Sequence, residues 1–108
     1  MSASGLWVQT VHHGWLRADQ VVQVDHASSL GEPTEREVHV SVPVGGGETK
    51  LATYAVAYCG SDQEAKALAF SMVQCLATKA HVAGLVRVRQ RHVEVTPFGE
   101  LDPADLFE

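Results

Sequence analysis

The stretch TKLATYAVAYCGSDQEAKALAFSMVQCLATKAHVAG, residues 49–84, decides the fold, because it holds a strand, a corner and a helix in succession. Ser61 stands where an N-cap belongs, and Glu64 three residues on completes a capping box. Asp62 and Glu64 put negative charge at the positive end of the helix dipole. At helical spacing Ala65, Leu68, Ala69, Met72, Leu76 and Ala83 share one broad apolar face. Gln63, Lys66, Ser71, Gln74, Thr78 and His81 form the opposite stripe, with Phe70 in its middle. The helix is expected to run to about Val82, with Gly84 as its C′ residue.

The strand before it, Thr49 to Cys59, has an unusual texture. Leu51, Ala55, Ala57 and Cys59 alternate with Tyr54, Val56 and Tyr58, so both sides are apolar or aromatic. A strand with one wet face does not look like this. One helix covers one face of a sheet, so the Tyr54–Val56–Tyr58 side needs another cover. The C-terminal segment or a second copy of the chain would supply it.

Further upstream, Gly45-Gly46-Gly47 reads as a hairpin tip, since three glycines permit positive φ at little steric cost. Glu37 to Val44 is the cleanest strand, with Val38, Val40, Val42 and Val44 on one face. Ser28 to Glu35 is loop chemistry. Trp15 to His26 reads as one long strand, with Leu16, Ala18, Val22 and Val24 in phase, and Leu6 to His12 as a first strand closed by a His13-Gly14 turn. After the helix, Leu85 to Thr96 is strand-like, but its parity breaks between Val88 and Val93. A bulge or short hairpin near Gln90 would absorb the slip. The order is β-β-β-β-α-β. It predicts an α+β domain over residues 1–99, with an antiparallel sheet of four to five strands packed on one long helix in two layers. Residues 100–108 form an acidic tail.

A chain of 108 residues, 45% hydrophobic and 19% charged, has room for one core. Its net charge of −5 argues against a general nucleic-acid binder. The first residues lack a basic head and a long apolar run, and no stretch is apolar enough to span a bilayer, so a cytoplasmic domain without membrane contact is expected.

Six histidines and two cysteines raise the question of a metal, but no C-x₂-C, H-x₃-H or HExxH spacing occurs. A site assembled across strands from His12, His26 and His39 is the arrangement the spacing leaves; neither a metal nor a cofactor is expected. Cys59 just before the helix N-terminus is a conceivable nucleophile, with His26 or His39 as base in a sheet–helix pocket. GGGETK leads into a strand rather than a helix and so is not a phosphate loop. Arg87, Arg89 and Arg91 share one parity, as an acidic partner, a protected edge or, less favoured at this net charge, a nucleic acid would have them. Pro103-Ala-Asp-Leu-Phe107 is similar to the bacterial sliding-clamp-binding pentapeptide, with Pro103 in place of its leading glutamine. That resemblance implies clamp docking.

The expectation that follows is a non-enzymatic module. It would self-associate as a homodimer through Trp7, Trp15, Tyr54, Val56 and Tyr58, with Phe70 as a further contact. Arg87, Arg89 and Arg91 would set the charge of an acidic protein partner.

Overall fold

The computed structural model describes residues 5–12, 14–29, 32–44 and 50–104. Its strands are β1 (Leu6–Gln9), β2 (Trp15–Arg17), β3 (Gln23–Ser29), β4 (Glu32–Pro43), β5 (Leu51–Cys59), β6 (Gly84–Arg89) and β7 (His92–Pro97), and its helix is α1 (Asp62–Thr78), between β5 and β6. One helix against mostly antiparallel strands is the α+β class that the pattern predicts. The strands form two sheets, however, ordered β2-β1-β6-β7 and β3-β4-β5. The first sheet is mixed, because β1 lies parallel to β6 with Leu6 opposite Gly84 and Val8 opposite Val86.

The second sheet arises where the expected Trp15–His26 strand breaks. A 3-10 turn at Ala18–Gln20, closed by Val21 N–H donating to the Ala18 carbonyl at 3.1 Å, separates β2 from β3. β2 stays with β1, while β3 pairs with β4. The turn also slips the phase: Val21 packs against the core and Val22 is 60% exposed. Strand replaces much of the expected Ser28–Glu35 loop, with an irregularity in the pairing between Ser28 and Ser29. The glycine tip lies outside the described residues. Val44 N–H donating to the Lys50 carbonyl at 3.2 Å continues the β4–β5 ladder toward it.

The capping box forms. Glu64 N–H donates to Ser61 Oγ and the Glu64 carboxylate accepts from Gly60 N–H, each at 3.1 Å. Ala65, Leu68 and Met72 bury one stripe of α1 against Leu6, Val8, Val38, Val40 and Val86. The helix ends at Thr78 with Lys79 as its cap, short of Val82. Gly84 is therefore no helix C′ residue; it opens β6. A Cβ there would sit 2.6 Å from the Thr96 carbonyl oxygen, so only glycine lets β7 approach this closely.

The parity break near Gln90 is a two-residue hairpin. Gln90 and Arg91 have φ of 51° and 67°, the signature of a type I′ turn, and Val88 comes to lie opposite Val93.

Candidate functional site

Trp7 alternates with the fully buried Leu6 and Val8, so it faces away from the helix. Pairing sets it between Arg17 on β2 and Leu85 on β6, and sets Trp15 opposite Gln9. Beyond β7 the chain turns back over this face. Phe98 N–H donates to the Ala83 carbonyl at 3.0 Å, and Leu101 N–H to the Phe98 carbonyl at 3.2 Å. Trp7, Trp15, Leu85, Phe98 and Leu101 then enclose an apolar hollow of about 270 Å³. The C-terminal segment thus supplies part of the cover for the outer face, and Leu85 is buried beneath it.

Cover stops at Trp15, which is 50% exposed. Trp15 also borders a second hollow, about 560 Å³, with Tyr54, Tyr58, His12 and Glu37. Val11 N–H donates to the Ala55 carbonyl at 2.9 Å and holds the two sheets together here. Four residues singled out from the sequence, Trp7, Trp15, Tyr54 and Tyr58, are thereby gathered around one continuous surface from both sheets. The tyrosines and Phe98 remain substantially exposed.

Val56 does not join them. The β4–β5 register shifts between Val38 and His39, so Val56 falls between Ala55 and Ala57 with no opposite residue. This bulge reverses the alternation and sinks Val56 into the core at 4% exposure. Phe70 is 63% exposed beside Val73 on α1 and borders neither hollow. Phe98, Leu101 and Leu85 were not expected at this surface. The signal for the first two was faint: single apolar residues in a segment that reads as strand end and acidic tail.

The three arginines do not form one face, because the strand ends at Arg89 and the turn re-aims Arg91. Arg87 is 5% exposed, opposite Glu94 and beside Gln9 and Tyr58. Arg89 reaches Glu94 at 4.0 Å. Arg91 pairs instead with Glu64 on α1 at 3.0 Å.

The histidines also separate. His26 lies opposite Val38, and His39 opposite Asp25, so the two point to opposite faces of the second sheet. His26 Nδ1 approaches Asp62 at 3.6 Å, and the same carboxylate faces Arg36 and Lys66, each also at 3.6 Å. His39 Nε2 sits 2.7 Å from Glu37 Oε1. Among the described residues, no group of three or more His, Cys, Asp or Glu side chains is placed to hold a metal ion.

Cys59 is buried at the end of β5. Burial pushes its thiol above the ordinary range, Glu64 pushes the same way, and Arg91 opposes them. Burial and Glu64 therefore both disfavour the thiolate that a Cys–His mechanism would use. Cys75 on α1 is also raised by burial, with Lys79 opposing. Of the clamp-like peptide, Asp105, Leu106 and Phe107 lie outside the described residues.

The chain matches no family model, no curated protein and no solved structure. No helix among the described residues is long and apolar enough to cross a membrane.

Proposed function

We propose that the chain is a non-enzymatic interaction module that self-associates as a homodimer through its aromatic surface. The observation that carries this reading is Trp15, half exposed at the meeting point of two hollows lined by Trp7, Tyr54, Tyr58 and Phe98. Trp and Tyr concentrate binding energy when such surfaces are desolvated, because each offers a large rigid area with a polar tip. Burying the open half of Trp15 removes roughly 100 Å² of mostly apolar surface, or about 2–3 kcal/mol per subunit before ordering costs. Two copies related by a two-fold axis would bury this patch against itself.

The test is solution mass by light scattering over a concentration series, on the wild type and on Tyr58→Glu and Trp15→Ala. Both side chains are exposed, so the variants should keep the fold, which circular dichroism would check. A wild-type dimer that dissociates into folded monomers in both variants supports the proposal. A folded wild-type monomer at every concentration would refute it.

A further inference from the structure

The opposite face of the first sheet carries a different surface. β7 is an edge strand, paired with β6 and with no other described strand. A two-residue hairpin makes its flanking pair, Arg89 and His92, a hydrogen-bonded one, and bonding then alternates along an antiparallel ladder. Glu94 and Thr96 therefore spend their backbone groups on β6, and Phe98 N–H to the Ala83 carbonyl continues that set. Val93 and Val95 turn their N–H and C=O outward. Pro97 follows at the next outward position, where its missing N–H removes no ladder bond.

Beside this edge runs α1, and between them lies a groove of about 650 Å³. Its apolar side chains include Cys75, Val82, Val93 and Val95; Ser71, Gln74 and Thr78 form the helix wall. Its charged side chains are Lys79 and Arg91, with the His92 imidazole, and among the described residues no carboxylate lines it, in a chain whose net charge is −5. Arg91 holds Glu64 through Nη1, but its side chain is 75% exposed and its guanidinium has further N–H donors.

We infer that this groove takes an extended acidic peptide segment of a partner protein, added to β7 as a further strand. Main-chain bonds to Val93 and Val95 supply register-independent affinity. Apolar side chains at alternate positions enter the groove, and Lys79 and Arg91 select carboxylates flanking them. The site lies across the sheet from the aromatic surface, so it does not depend on self-association.

The probe is a short fluorescein-labelled peptide alternating valine with glutamate, compared with its lysine counterpart and with a version N-methylated at every second backbone nitrogen. Fluorescence anisotropy should show saturable binding of the glutamate peptide, at least about tenfold tighter than either control and weakening as salt rises. Lys79→Glu, at an exposed position, should weaken binding by about tenfold, while Trp15→Ala should leave it unchanged. Bound peptide should also slow alkylation of Cys75 in the groove relative to buried Cys59. Equal binding of the N-methylated peptide would overturn strand addition, and equal binding of the lysine peptide would overturn the charge assignment. Loss with Trp15→Ala but not Lys79→Glu would move the site to the aromatic surface and overturn the inference. So would absence of saturable binding by a folded protein.

Discussion

The Gln90-Arg91 turn can be improved, and the gain measures what its backbone now costs. Both residues sit at positive φ, 51° and 67°, where the Cβ of an ordinary residue crowds the following carbonyl oxygen. That conformation costs about 1–2 kcal/mol per residue, and Asn-Gly is the pair that adopts it most readily. Against the gain from Gln90→Asn with Arg91→Gly stand two losses. The new glycine is freer in the unfolded chain by about 0.5–1 kcal/mol. The Arg91–Glu64 pair is lost, and with Arg91 three-quarters exposed it contributes about 0–1 kcal/mol. The balance is a stabilisation of about 1 kcal/mol, or a rise in Tm of roughly 4–8 °C for a domain near this size. Thermal unfolding by circular dichroism, with urea titration at constant m, reads it directly. Arg91→Ala serves as control: it removes the ion pair without relieving the backbone and should be neutral or slightly destabilising. If the double variant melts at or below the wild type while Arg91→Ala is neutral, the turn carries no such penalty and the reasoning fails.

Other consequences are as direct. Met72→Ala empties a fully buried site facing both sheets and should cost about 2–5 kcal/mol in urea denaturation. Gly84→Ala would drive a methyl against the Thr96 backbone, at 2.6 Å, and should cost about 1–3 kcal/mol or prevent folding; solubility and Tm report which. Ser61→Ala removes the acceptor for Glu64 N–H and should lower stability by about 1 kcal/mol, seen as a shift in urea midpoint. Because the folded-state thiols of Cys59 and Cys75 are raised, the native state holds its protons longer than the unfolded chain. Stability is therefore fully present below the ordinary thiol range and is lost as pH rises through the raised values. Cys59→Ala should flatten that alkaline decline in a pH series of melts.

What the chain's pattern revealed was what local chemistry encodes. Ser61 and Glu64 announce the helix start because a cap is a contact between neighbours in sequence, and both hydrogen bonds form. The slip between Val88 and Val93 pointed to a bulge or hairpin, and a hairpin is present. Its turn type was hidden, since neither Gln90 nor Arg91 is a residue that favours positive φ. Elsewhere period-two reading failed where an irregularity shifted the phase without a glycine or proline to mark it. The turn at Ala18–Gln20 exchanges Val21 for Val22, and the bulge at Val56 removes one member of the expected apolar stripe. Tyr54 and Tyr58 were visible because both sides of their strand are apolar or aromatic and one helix covers only one face. Their meeting around Trp15 was not, because it depends on the contact of two sheets, secured by Val11 and Ala55.

The parallel pairing of β1 with β6 also governs the order in which this molecule can be completed. β1 lies inside its sheet, yet its neighbour β6 comes after α1 and every other strand except β7. During synthesis β3, β4 and β5 can close on one another through adjacent segments, while β1 has only the three-residue β2 as a strand partner until β6 is made. Loop-closure entropy must be met across most of the chain before β6 can seal that sheet. Until β6 is in place β1 therefore keeps one unpaired edge, and that interval is when this sheet is most exposed to mispairing and aggregation.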